Sequence, residues 1–358
     1  MFRVLLILCI TFFSLGSASA QDSTQADLEE ALLDFSGEST AALAVQVTTP
    51  EDTWVATTGL ADDERPTVPD DRFRIGSMSK TFVAVVVLQL VEEGVFDLDD
   101  AASEWLPAEV VERIANADTV TIRQLLSMRS GIDDYLGAEF FDAILDDPTY
   151  EWTLLEAIAY AYDLPALFAP DEAFYYSNTN YLLLELVIEE ATGEPLYVLT
   201  RERIIDPLNL TNTYTQIAET LPGEFVWSYE DVDQDGTEEE VSGVNDGAGL
   251  ADGGIISTVG DLTTFYQALL LDETLLSEES MSELLDFQAT GEFGDYSLGL
   301  AQYESDWGPA IGHSGAVVGF LSNGFYLPDE GAIIIVLSAD MQRDPAELSE
   351  LVADLLLE

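Results

Sequence analysis

The sequence predicts an α+β fold: one antiparallel sheet shared by both ends of the chain, flanked by helices, with a mainly helical lobe inserted between. Three observations lead there. Apolar and β-branched runs bounded by turn residues gather near the two ends, at 42–47 and 54–58, then at 296–303, 319–327 and 332–337. The stretch between them is dominated by segments of helical periodicity. The 358 residues, 47% of them apolar, suffice to bury a large core.

Residues 1–20 read as an export signal, which places the protein outside the cytoplasm as a secreted or periplasmic protein. Arg3 gives a basic start, 4–13 form an apolar core, and Ala18-Ser19-Ala20 is a small-residue cleavage site. The apolar core is short for a membrane span, although a retained anchor is the alternative reading. Cys9, the only cysteine, lacks the preceding small pair of a lipoprotein signal. A chain cleaved after Ala20 therefore has no disulfide, no thiolate metal site and no stable membrane anchor.

Residues 21–26 read as polar and loose, and 28–35 have helical spacing. Thr49-Pro50-Glu51-Asp52 splits the first two strand runs into a hairpin. A helix opening at Ser77 runs to Glu93 and stops at Gly94, a C-cap. Helices follow at 121–126, 154–162, 181–191 and 196–205, the third closed by Thr192-Gly193 and the fourth by Asp206-Pro207. Residues 226–248 form a long acidic, glycine-rich loop. Helices return at 261–271 and 278–285, and 345–357 is a terminal helix. The expected organisation is a single domain over 21–358, with an α/β lobe of 21–75 and 250–358 and a helical lobe of 76–249.

Asp and Glu number 69 against 11 Lys and Arg, for a net charge of −58. Nucleic acid and anionic lipid are poor partners for such a chain. The acidic residues are spread along the sequence, which reads as a solvated surface adapted to high salt, where self-repulsion is screened. A melting temperature that rises with added salt is the expected outcome.

Three stretches carry candidate chemistry. In Arg74-Ile75-Gly76-Ser77-Met78-Ser79-Lys80, the only lysine of the chain stands three residues after Ser77. Positions i and i+3 share a helix face, so hydroxyl and amine point the same way. Burial would lower the lysine's pKa and let it take the serine's proton. In Tyr175-Tyr176-Ser177-Asn178, a tyrosine near that ammonium would ionise more easily and could relay protons. Asn178 could orient both the lysine and an amide substrate. In Gly312-His313-Ser314-Gly315-Ala316, the only histidine precedes a glycine that would let substrate approach a strand edge. The Ala316 amide could join the Ser77 amide in an oxyanion hole. Reading this third stretch as an α/β-hydrolase nucleophile elbow fails, because position 316 is Ala and the only histidine adjoins the supposed nucleophile.

Together these stretches resemble the serine β-lactamase and D-alanyl-D-alanine carboxypeptidase family, most of all the class C β-lactamases and their esterase relatives. Residues 73–80 are similar to its Ser-x-x-Lys nucleophile motif, Tyr176-Ser177-Asn178 to its Tyr-x-Asn motif and His313-Ser314-Gly315 to its third motif. Residues 121–132 resemble its Leu-Leu-x-x-x-Ser-Gly segment, with Met128 where many members carry histidine. Residues 248–257 followed by Asp261 look like its glycine-rich entry to a helix. The resemblance implies a β-lactamase/transpeptidase-like fold and an acyl-enzyme mechanism without cofactor or metal. Ser77 would attack, Lys80 with Tyr176 would move protons, and Asn178, His313, Gly315 and Ala316 would hold substrate. The implied substrates are small molecules or peptides: a D-alanyl-D-alanine stem peptide, an ester or a β-lactam. His313 stands where class C β-lactamases carry lysine, which directs the expectation toward carboxypeptidase or esterase activity, with β-lactamase as the alternative. Specificity is expected from the loops at 136–150 and 226–248.

Two further readings complete the sequence. Asp231-Val232-Asp233-Gln234-Asp235-Gly236 begins like a calcium loop, but its twelfth position is Ser242, so a solvated acidic turn is expected. A non-catalytic binder of cell-wall peptides on the same fold is the contrasting function, and a monomer is the expected state.

Overall fold

The computed structural model describes residues 15–231, 237–247, 249–291 and 294–357. The expected leader core at 4–13 lies outside them. Helix α1 (Leu15–Ser36) opens the described chain. It includes 21–26, expected to be loose, because no proline or glycine interrupts the sequence between Gly16 and Gly37. The hairpin of β1 (Leu43–Thr48) and β2 (Thr53–Thr58) follows, its turn closed by the Thr49 amide on the Asp52 carbonyl at 2.9 Å. After β3 (Phe73–Arg74) and a 3-10 turn (Gly76–Met78), α2 (Ser79–Glu92) runs to the left-handed Gly94.

The next segment is helical: α3 (Ala108–Arg113), α4 (Ile122–Leu126), α5 (Ala138–Asp146), α6 (Leu154–Ile158), α7 (Thr179–Thr192) and α8 (Leu196–Thr200). Thr121 and Gln124 form a capping box at α4, and Gly193 closes α7 in the left-handed region, as the sequence predicts. Strands β4 (Tyr214–Thr215), β5 (Tyr229–Glu230) and β6 (Glu239–Glu240) are short, and β5 pairs with β6 inside the expected loop. The glycine-rich stretch delivers β7 (Ile255–Ser257), then α9 (Val259–Tyr266) and α10 (Glu278–Leu284).

The last part supplies β8 (Gln288–Ala289), β9 (Asp295–Tyr296), β10 (Ala301–Ser305), β11 (Gly308–Val317), β12 (Phe320–Leu327), β13 (Ala332–Ser338) and α11 (Pro345–Leu357). An eight-stranded antiparallel sheet has the order β2-β1-β13-β12-β11-β10-β9-β8. Strand β13 lies between β1 and β12 and has a core packed against each face, so every residue in it is buried. Ile333, Ile335 and Leu337 join one core, and Ile334 and Val336 the other. Two strand expectations need correction. The run at 296–303 is two strands, because Gly299 turns the chain at φ +78°. His313–Ala316 lies within β11, not ahead of a strand; Pro309 and three glycines hide that strand's alternation. Among the described residues, no helix is long and apolar enough to cross a membrane.

Candidate active site

The site forms where the turn before α2 meets β11. Gly76 turns the chain at φ +51° and presents Ser77 at the start of the helix. A Cβ on Gly76 would fall 2.8 Å from the Ala316 nitrogen. One on Gly315 would fall 2.1 Å from the Ile75 carbonyl oxygen and 2.9 Å from the Ser77 nitrogen. Turn and strand therefore interlock, and the Ser322 hydroxyl fastens them by donating to the Ile75 carbonyl at 2.7 Å. The sequence reading gives Gly315 to the substrate; the structure gives the space at its α-carbon to the Ser77 turn. Strand β10 pairs with β11 only as far as Gly312, so the edge from His313 onward faces the pocket.

Lys80 is wholly buried. Its Nζ donates to Ser77 Oγ at 3.1 Å, Asn178 Oδ1 at 2.7 Å and the Asp252 carbonyl at 2.6 Å, which occupies all three ammonium hydrogens. Burial lowers its pKa, while the charges of Asp252 and Asp134 oppose that shift. Burial likewise raises the Asp252 carboxyl, with Lys80 pulling it down. The Tyr135 phenol holds one Asp252 oxygen at 2.9 Å.

Asn178 and Tyr176 arrive on the stretch leading into α7. The Asn178 amide donates to Asp134 Oδ2 at 2.9 Å, so its carboxamide links Asp134 to Lys80. Ser177 and Thr179 both donate to the Asp133 carbonyl, at 3.2 and 2.8 Å, which fixes this stretch against the 133–136 loop. The Tyr176 ring centroid is 5.0 Å from the Lys80 nitrogen. The expected easy ionisation of Tyr176 is not what this setting gives. Burial, followed by the neighbouring Tyr296, pushes the phenol well above its usual range; a hydrogen bond with Ser77 pulls the other way without reversing it. A neutral phenol is the resting form.

His313 is neutral as well. Burial first, and then the Lys80 charge, push its pKa down to about 4. Its Nδ1 meets the Ser314 carbonyl, and the Tyr296 phenol lies 3.2 Å from Nε2. With Nδ1 donating to that carbonyl, Nε2 accepts from Tyr296. The Tyr296 ring also stands edge-on to Tyr176, with centroids 6.2 Å apart.

These residues line one pocket of about 570 Å³. Ser77, Tyr176, Asn178, His313, Gly315 and Ala316 all border it, and Lys80 sits behind Ser77. Leu136 and Phe141 of one expected specificity loop and Asp246 of the other also reach it. Sequence reasoning missed Asp134, Tyr135, Asp252 and Tyr296. Asp134 and Tyr135 stand three and four residues after Gly131 of the 121–132 segment, and Asp252 precedes a Gly-Gly pair, which are the local signals available. Among the described residues, no group of three or more His, Cys, Asp or Glu could hold a metal ion. Residues 232–236 of the calcium-like loop lie outside them.

Comparison with known proteins gives consistent matches. The family described as Beta-lactamase matches residues 26–357. Penicillin-binding protein 4* of Bacillus subtilis is 27% identical over 289 residues, covering 77% of this chain and 62% of the relative. Esterase EstB of Burkholderia gladioli is 32% identical over 231 residues, covering 62% of this chain and 57% of the esterase. The chain thus spans about three fifths of the length of these two relatives. Among solved structures, a D-stereospecific amidohydrolase from Streptomyces sp. superposes with a TM-score of 0.81 at 30% identity, covering 93% of this chain and 99% of the other.

Proposed function

The chain belongs to the Beta-lactamase family, and we propose that it is an exported serine hydrolase that cleaves amides or esters through an acyl-enzyme on Ser77. One observation carries the reading. The only lysine of the chain is buried with its amine 3.1 Å from the Ser77 hydroxyl, in surroundings that lower its pKa. A buried amine of this kind reaches its neutral form near physiological pH, and its lone pair can then take the serine proton.

In the proposed cycle, Ser77 Oγ attacks the carbonyl carbon while its proton passes to Lys80. The developing oxyanion lies between the Ser77 and Ala316 amides. The neutral Tyr176 phenol gives its proton to the leaving nitrogen or oxygen as the C–N or C–O bond breaks, and Lys80 refills it. Water then attacks the acyl-enzyme, with the same groups working in reverse. Asn178 holds Lys80 in line from Asp134. Residues 21–358 act as the single catalytic domain, as a monomer, after removal of the leader. The named activities of the Burkholderia esterase and the Streptomyces amidohydrolase support ester and amide substrates.

The test is labelling with a fluorophosphonate and with a fluorescent penicillin, followed by mass spectrometry of the adduct. The fluorophosphonate is expected on Ser77 and absent from Ser77→Ala. An adduct on any other residue overturns the assignment. Penicillin labelling separates a penicillin-binding subclass from an esterase or amidase.

A further inference from the structure

The pocket holds an imbalance of charge that bears on its substrate. Among the described arginines, only Arg74 borders it. Arg74 is buried, pairs with the Asp246 carboxylate, and donates to the Val244 and Val318 carbonyls at 3.2 and 3.5 Å. Asp246 is itself tied by the Val318 amide at 2.7 Å. Lys80 is enclosed behind Ser77, with Asp134 and Asp252 both acting on it. His313 presents a neutral ring whose two nitrogens are engaged by Ser314 and Tyr296. Among the described residues, no cation is therefore free to meet an anionic substrate in this pocket. Two further carboxylates line it: the buried Asp252 and the exposed Asp344. Its remaining walls include Leu136, Phe141, Tyr303 and Met341.

Resting on the serine-hydrolase reading, we propose that this site takes apolar, uncharged esters or amides and discriminates against substrates that carry a carboxylate close to the scissile bond. A carboxylate drawn into this space gives up water and meets no counter-ion, so its binding is penalised by desolvation as well as by like charge. An uncharged acyl group loses neither and gains the apolar walls. The proposal separates this chain from carboxylate-bearing D-alanyl-D-alanine peptides and β-lactams.

The experiment uses the full chain and two aryl esters, 3-carbamoylphenyl and 3-carboxyphenyl butanoate, with kcat/KM normalised to each ester's hydroxide-catalysed rate. The carboxamide is expected to be preferred by about 10-fold or more at low salt, with the gap narrowing as salt screens the carboxylates. Asp344→Lys should narrow the gap by raising the rate on the carboxylate ester. Equal turnover of the two esters, or a preference for the carboxylate, overturns the proposal. A gap that moves with neither salt nor Asp344→Lys also overturns it, because the discrimination is then not electrostatic. If neither ester is cleaved and Ser77 does not take fluorophosphonate, the hydrolase reading fails and this inference with it. If Ser77 labels and the carboxylate ester is cleaved as well as its partner, only the specificity inference falls.

Discussion

On one face of the eight-stranded sheet, Leu28 and Leu32 of α1 and Leu348 and Val352 of α11 close over Val45, Ile334 and Val336. On the other, Ile333, Ile335 and Leu337 of the same β13 join the core that also contains Phe82 and Val86 of α2. Buried ionisable groups of the site lie on this second side, among them Arg74, Lys80, Asp252 and His313, with Glu185 accepting from the Ala251 amide nearby. The first face is mainly apolar packing, with few buried polar contacts such as an Asn323–Ser349 hydrogen bond at 2.7 Å. Enclosing charge is costly, and the hydrogen bonds around Lys80 offset only part of that cost. Strand β13 is shared between the two faces, so one strand joins the plain core to the site.

Substitutions that separate the two faces test this division. On the site face, Ser77→Ala and Lys80→Ala should each lower kcat/KM by about 10³-fold or more without unfolding the protein. A variant that keeps a tenth of the activity would end the assignment. On the plain face, Leu348→Ala should cost about 2–5 kcal/mol in chemical denaturation while kcat/KM at 25 °C stays within error. If its activity falls instead, the two faces are not independent.

A fourth substitution acts on stability from the site side. Burial raises the Glu185 pKa from 4.5 to about 8. The folded state thus retains a proton that the unfolded chain releases, so stability falls as pH rises from 4.5 through about 8. Glu185→Gln should stabilise the protein by about 1–3 kcal/mol at pH 9 and change little at pH 4. An equal gain at both pH values would mean that ionisation is not the cause. The smallest expected effect is a shift in a pH profile. The Asp252 charge raises the Lys80 pKa, so Asp252→Asn should move the acid limb of kcat/KM to lower pH, by about one unit or less. Movement to higher pH would contradict the electrostatic account.

Much of this was legible in the sequence wherever a feature is local. Pro50 and its neighbours marked the first hairpin, Gly94 and Gly193 marked helix ends, and the i, i+3 spacing of Ser77 and Lys80 placed hydroxyl and amine together. Asn178 meets Lys80 as expected. What escaped depends on segments that meet only in three dimensions. Asp134, Tyr135 and Asp252 matter because two distant loops close on one amine, which no spacing records. Tyr296 of β9 reaches His313 of β11, although β10 separates the two strands in the sheet. The ionisation of Tyr176 was misjudged because proximity to a cation was visible in the pattern, whereas the depth of burial was not. Strand β11 was missed because its glycines serve close backbone approach, and that need erases the alternation by which strands are recognised.

The interlock of the Ser77 turn with β11 also sets where this protein can change. With no room for a methyl group at Gly76 or Gly315, the two backbones cannot be re-spaced by point mutation, so the reacting geometry passes intact through sequence drift. Leu136, Phe141, Tyr303 and Met341 carry no such restriction. A library that randomises those four positions and leaves both glycines alone should yield enzymes with new clients and the old chemistry.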